Sequence, residues 1–363
     1  MNRAGWAGLI GAGVGVAVAG GALAVRAARG RPGADERFAE EAFGKLPPSR
    51  ESSVSADDGV PISVEEVDPE DGGEPALTVV LVHGFALSRA CWHFQRRDLA
   101  ALTDPRVRQV LYDQRSHGRS GRSTTRASTI EQLAADLSEV LRAVVPEGQV
   151  VLVGHSMGGM TIMALAEREP DLFADRVRGV ALIGTSAGEI GKSGLPRPLL
   201  SKYNPTARLL GGVADWQPGL VELVRAAGGP LTRRAVRTTA FGSRDVSSKV
   251  VDFLVSMLDV TPVRVLADFV DTLGSHNRYA ALAGLKHCRV LVLSGDRDQL
   301  TPFAHAERIA LELPDAVLVR APGAGHMVML EQPDLVTDAV AKLVRDCAGG
   351  AGAGRRTRRW KRD

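Results

Sequence analysis

Ser156, His326 and one of two nearby aspartates, Asp296 or Asp298, are residues of this 363-residue chain whose types and order could combine into nucleophilic chemistry. A serine hydroxyl is a poor nucleophile at neutral pH, so it needs a base to take its proton and a carboxylate to orient that base. Ser156 stands in Gly154-His155-Ser156-Met157-Gly158-Gly159, a Gly-x-Ser-x-Gly pattern. Five residues alone say little in a chain with 40 glycines. Their setting says more, because the apolar run at 150–153 precedes them and the helical-looking run at 160–167 follows. A serine squeezed between strand and helix is strained, and its hydroxyl stands clear beside the positive helix N-terminus. Side chains at Gly154 and Gly158 would collide there with neighbouring backbone.

The acid and the base follow in the order Ser…Asp…His that such a turn requires. Residues 289–293 read as a buried strand that runs into Ser294-Gly295-Asp296-Arg297-Asp298-Gln299-Leu300-Thr301-Pro302. The short strand at 316–319 leads to Ala321-Pro322-Gly323-Ala324-Gly325-His326. Each group therefore lies just past the carboxyl end of a strand, where reacting groups converge in an open parallel sheet. Asp298 is preferred over Asp296 because it lies deeper in its turn, ahead of Pro302, which leaves Asp296 to cap the loop. Charge developing on a tetrahedral intermediate needs backbone donors. The expected ones are the N–H groups of Met157 and of Phe85, the latter in the turn His83-Gly84-Phe85-Ala86 after an apolar run at 76–82. His83, in a strand-ending turn, reads as structural. This chemistry calls for no metal and no organic cofactor.

Positioning those groups takes a sheet. Alternating apolar and polar residues at 62–67 predict an edge antiparallel strand, and 109–112 and 177–183 predict two more. Residues 129–144 place Ile130, Leu133, Leu137, Val140 and Leu141 on one helical stripe behind a Thr129 cap. Strand and helix patterns in alternation predict an α/β fold, a mostly parallel sheet with helices on both faces. Between 187 and 285 the rhythm stops. Helical pattern takes over there, with Trp216, Phe241, Phe253, Met257, Leu258 and Phe269 among its apolar residues.

Together with Tyr112-Asp113-Gln114-Arg115-Ser116-His117-Gly118-Arg119-Ser120, these motifs resemble the α/β-hydrolase superfamily over about residues 52–347. The resemblance is to the serine esterase, lipase and haloperoxidase-like branch with a Gly-His-Ser-Met-Gly-Gly elbow. It implies that the helical stretch is a cap inserted before the catalytic-acid strand, with an apolar inner face that shapes the pocket. It also implies hydrolysis of carboxylic esters, lipid-like or medium-chain, through Ser156, His326 and Asp298. Asp113, Arg115 and Gly118 would build a turn. Epoxide hydrolases and haloalkane dehalogenases of the superfamily carry aspartate at the elbow, so Ser156 argues against both chemistries. Cofactor-free perhydrolase or carbon–carbon bond hydrolysis would use the same machinery. A non-catalytic ligand-binding protein of this fold is the alternative from another class.

The ends of the chain differ from its body. Residues 1–31 hold four arginines and no acid, and the last nine hold six basic residues against Asp363. Setting those aside leaves 35 basic and 41 acidic residues between 32 and 354, a formal charge of −6. The overall pI near 8.9 therefore does not mark a nucleic-acid-binding protein. Residues 4–25 are uncharged and long enough to cross a membrane as a helix, although seven glycines make the run only moderately apolar. Membrane anchor, cleaved signal peptide and simple tail all compete. Arg26, Arg29 and Arg31 favour an anchor with the catalytic domain in the cytoplasm. Three scattered cysteines, Cys91, Cys288 and Cys347, favour a reducing compartment. The expected organisation is an anchor and basic flank at 1–31, a linker at 32–51, a hydrolase domain at 52–347 with its cap at about 187–285, and a disordered glycine-rich basic tail at 348–363. An ester or lipid-like small molecule and the membrane are the expected partners, and the oligomeric state is left open.

Overall fold

Strands buried on both faces read as continuous apolar runs, and three such runs form the middle of the sheet. The computed structural model describes residues 37–47, 49–190 and 229–349. Eight strands lie in the order β1-β2-β4-β3-β5-β6-β7-β8. They are β1 (Arg50–Ser55), β2 (Pro61–Val67), β3 (Leu77–Val82), β4 (Val107–Tyr112), β5 (Val150–His155), β6 (Val177–Ile183), β7 (Arg289–Gly295) and β8 (Val317–Ala321). From β4 to β8 all pairs are parallel, and β2 runs antiparallel to both β1 and β4. The antiparallel reading of 62–67 is right, but β2 is not an edge. The edge is β1, whose exposed, polar run Arg50-Glu51-Ser52-Ser53 gives no apolar signal to read.

Side chains alternate across the sheet and build two cores. Val80, Leu152 and Val180 face one layer of helices, and Leu81, Val151 and Ala181 face the other. On the chain these helices are α1 (His93–Ala100), α2 (Ile130–Val144), α3 (Met157–Arg168), α4 (Pro170–Asp175), α5 (Gly229–Thr239), α6 (Ser248–Val260) and α7 (Val263–Ser275). After β7 come α8 (Phe303–Glu312), α9 (Val328–Glu331) and α10 (Pro333–Gly349). The stripe at 129–144 forms α2 as expected, and the Thr129 hydroxyl accepts the Gln132 amide at 3.1 Å to cap it. Between β6 and β7 the described residues are helical in their regular elements, while Trp216 lies outside the described residues. Phe38 and Phe43 pack on Phe94, with ring centroids 5.4 and 5.6 Å away.

The expectation of a membrane-anchored protein with a cytoplasmic catalytic domain is corrected. Among the described residues no helix is long and apolar enough to cross a membrane. The run at 4–25 lies outside the described residues, and its seven glycines weaken the hydropathy on which that expectation rested.

Arg115 does more than build a turn. Asp113 does that work: its carboxylate accepts the amides of Arg89 and Arg119 at 2.8 and 3.0 Å. Gly118 closes the turn at φ +49°, where a Cβ would run into the Asp113 carboxylate. The fully buried Arg115 guanidinium reaches past them, holding both carboxylate oxygens of Asp136 on α2 at 2.6 Å and Asp58 at 2.7 Å. One side chain thus ties the β1–β2 connection and α2 to the end of β4. Removing one partner of a buried ion pair costs about 3–5 kcal/mol. Arg115→Met, which keeps the volume but strands Asp136, is expected to destabilise the fold by about that amount in urea titration. A loss below about 1 kcal/mol would mean that Asp136 finds another partner or water.

Candidate active site

Register decides where the serine lands. β3 pairs with β5 so that Val82 lies opposite Gly154. The turn after β3 and the turn after β5 therefore emerge side by side, at the point where the sheet's connections change direction. Ser156 adopts φ +51°, ψ −118°, a conformation that costs a residue with a side chain on the order of 1–3 kcal/mol. Its amide donates to Ile183 O at 3.0 Å, and its carbonyl accepts from the Gly159 amide at 2.9 Å and the Thr185 hydroxyl at 2.7 Å. A Cβ at Gly154 would sit 2.6 Å from the Gly159 nitrogen, and one at Gly158 would run into the Val82 carbonyl. Both glycines are therefore required by close backbone approach.

His326 and Asp298 meet at the carboxyl ends of β7 and β8. His326 Nδ1 lies 2.8 Å from Asp298 Oδ2, and both residues are buried. Asp298 is fully supplied with donors: the amides of Leu300 and Thr301 reach Oδ1 at 2.8 and 2.9 Å, and the Thr301 hydroxyl reaches Oδ2 at 2.9 Å. Burial raises its pKa, but His326 and the Thr301 donors outweigh burial and hold it below the ordinary carboxylate value. Asp296 points elsewhere, accepting the Gly323 amide at 2.7 Å, which closes the loop ahead of His326. Thr301 escaped the sequence reading. Its only sequence signal is its position three residues past an aspartate in a turn, where Asp side chains accept local amides.

Beside Ser156 lies the Gly84–Phe85 turn. A Cβ on Gly84 would be 3.1 Å from Ser156 Cβ. No acceptor among the described residues engages the amide of Phe85 or of Met157. Ser156, His326 and Phe85 line one cavity of about 200 Å³, closed by Met160 of α3, Leu254 and Leu258 of α6 and Leu273 of α7. A larger cavity of about 640 Å³ is lined in part by Ser88, Arg89 and Ala90. Its charged lining is internally paired, Arg89 with Glu51 and Glu65, Arg96 with Glu65, Arg119 with Glu51. Ser156 and His326 line the smaller one, and Asp298 reaches it only through His326. Among the described residues no cluster of His, Cys, Asp or Glu side chains is placed to hold a metal ion.

These residues stand on a mostly parallel sheet covered by helices on both faces, the frame of an α/β hydrolase. The profile of the Alpha/beta hydrolase family matches residues 79–339, and the chain belongs to that family. It is 26% identical over 283 residues to the uncharacterized hydrolase YugF of Bacillus subtilis, an alignment covering 74% of this chain and 90% of that protein. It is 28% identical over 282 residues to a putative carbamate hydrolase, RutD, of a Caulobacter strain, covering 74% and 90%. A thermophilic esterase from Thermogutta terrifontis shares the fold, with a TM-score of 0.63 at 24% identity, covering 83% of this chain and all of that one.

Four histidines around these turns are buried and neutral. Burial pushes His83 and His276 down to about 4, and His117 and His155 down to about 3. His155 packs behind His326, ring centroids 4.7 Å apart, and its Nε2 lies 3.0 Å from the His326 carbonyl. In the unfolded chain each of the four takes up a proton below about pH 6.5, which the folded chain refuses until its lower pKa. Stability therefore falls as pH drops from about 6.5 toward 4, by up to about 1.4 kcal/mol per pH unit for each histidine. Urea unfolding at a series of pH values is expected to show that decline. Equal stability at pH 7 and pH 5 would contradict it.

Proposed function

We propose that the protein hydrolyses carboxylic esters by acyl transfer through Ser156. The observation that carries this reading is the 2.8 Å Asp298–His326 contact, with Ser156 and His326 facing one cavity. Asp298 occupies Nδ1 of His326, which leaves Nε2 to take the Ser156 proton. The serine oxygen then adds to the ester carbonyl, and the amides of Phe85 and Met157 stabilise the oxyanion. Nε2–H next protonates the leaving alcohol, and water, activated by the same nitrogen, releases the acid and frees Ser156.

The cavity supports an uncharged ester. Its described lining contains no Lys, Arg, Asp or Glu. At about 200 Å³ it is smaller than the roughly 300–1,000 Å³ of sites for drug-sized ligands. A short to medium acyl chain fits that space, and helices α5–α7 would act as the cap that bounds it.

Turnover of p-nitrophenyl esters of graded chain length by the full chain tests the substrate class. Activity is expected to peak at short to medium chains, and the class is wrong if only long-chain or charged esters are cleaved. A fluorophosphonate probe is expected to label Ser156. Ser156→Ala should lose labelling and roughly a million-fold in turnover. Asp298→Asn should cost roughly 10⁴-fold while Asp296→Asn costs little, because only Asp298 fixes the imidazole tautomer. The reverse pattern would move the role to Asp296.

A further inference from the structure

The two proposed oxyanion donors differ in what holds them, a difference that matters only if the acyl-transfer reading stands. A trans peptide unit is planar, so its carbonyl and the following N–H point in opposite directions. Whatever grips the carbonyl therefore aims the amide. The Met157 N–H shares its unit with Ser156 O, which is held by the Gly159 amide at 2.9 Å within the first turn of α3. That donor is aimed by the helix's own first turn, with the Thr185 hydroxyl a second grip on the same carbonyl at 2.7 Å. The Phe85 N–H shares its unit with Gly84 O, in a turn outside any helix or strand. Its backbone grip there is a long one, Leu87 N to Gly84 O at 3.3 Å. The short bond comes from a side chain: His83 Nδ1 lies 2.7 Å from Gly84 O.

The direction of that bond is fixed. The Gln114 backbone amide can only donate, and it lies 2.9 Å from His83 Nε2. Nε2 is therefore the lone-pair nitrogen, and Nδ1 of the neutral ring carries the proton. Gln114 binds His83 a second time, its carboxamide Nε2 donating to His83 O at 2.6 Å. Its Oε1 accepts the Thr161 hydroxyl, on α3, at 3.0 Å. A flipped amide would set two carbonyl oxygens against each other, so the orientation is settled by the partners. His83, Gln114 and Thr161 are all completely buried.

We propose that His83 is a positioning residue for the reaction: its Nδ1–H grips the Gly84 carbonyl and so aims the Phe85 amide at the oxyanion. Gln114 sets the tautomer through its backbone and, through its side chain, ties the turn to the nucleophile's helix.

The test uses the full chain, p-nitrophenyl butyrate as substrate and n-butylboronic acid as inhibitor, whose tetrahedral serine adduct places an oxygen at the oxyanion position. His83→Leu removes the grip, and His83→Asn keeps an amide N–H near the place of Nδ1. Outright removal of an oxyanion donor costs about 10²–10³-fold in kcat, so a misaimed one is expected to cost about 10–100-fold. His83→Leu should lower kcat by that factor, weaken boronate inhibition in step and leave KM within about threefold. His83→Asn should recover most of both. A folded His83→Leu protein with wild-type kcat and boronate affinity, or one changed only in KM, overturns the proposal. If that variant does not fold, two-bond ¹H–¹⁵N correlations of the wild-type imidazoles decide: the His83 proton is expected on Nδ1, and a proton on Nε2 overturns it. Failure of the acyl-transfer reading itself would register separately, as wild-type protein whose Ser156 takes no fluorophosphonate label.

Discussion

The approach of two backbone turns, with no side chain between them, is the constraint on which the rest of this structure depends. Parallel pairing of β3 with β5 sets Val82 against Gly154, so Gly84 and Ser156 come out of the sheet in contact. Gly158 then packs directly on the Val82 carbonyl, and Gly84 lies against Ser156 and His155. Any Cβ at these places would push the elbow away from the turn beside it. Two turns that leave different strands are thereby brought side by side at Ser156. The strain at Ser156 persists because its amide and carbonyl are both held, by Ile183 on one side and by Thr185 and Gly159 on the other.

Around that contact lies a buried polar lattice. His83, Gln114, Thr161 and His155 are completely buried, yet bonded to turns whose geometry matters. A buried polar group is costly unless it is paired, so such a lattice resists rearrangement more strongly than an apolar core of equal volume. Some atoms stay unpaired, among them Nε2 of His117 and Nδ1 of His155. Both rings already use their other nitrogen to hold backbone carbonyls, of Arg115 and His326 respectively.

Much of this was legible in the residues. The central strands read clearly because burial on both faces demands apolar runs, and β6 at Val177–Ile183 and the Thr129 cap fall where patterning puts them. Depth in a turn ahead of Pro302 singled out Asp298, the aspartate that lies against His326. Edges and cross-chain contacts were not legible. β1 carries charged and hydroxyl residues that join the sheet through backbone pairing and ion pairs such as Arg50–Glu66, so hydropathy is blind to it. Arg115 looked like part of a local turn because its partners Asp58 and Asp136 lie far from it in the chain. The grip of His83 on Gly84 needs a tautomer, and a tautomer is set by a neighbour that only the fold supplies. The N-terminal run misled in a different way. Length without charge is a weak sign of a membrane span when glycine supplies so much of it.

The site is also divided in time. Ser156 and both of the turns beside it belong to the first half of the chain, whereas Asp298 and His326 arrive with β7 and β8 near its end. A chain growing from its N-terminus can finish the elbow and helix α3 while the imidazole is still unmade. On the acyl-transfer reading proposed above, the serine of a nascent chain then has no base, and its hydroxyl is no more reactive than any other. On that reading, pairing of β7 with β6 and of β8 with β7 is also the arming step. By the same reading, chains cut short before His326 would carry the strained elbow as an inert turn.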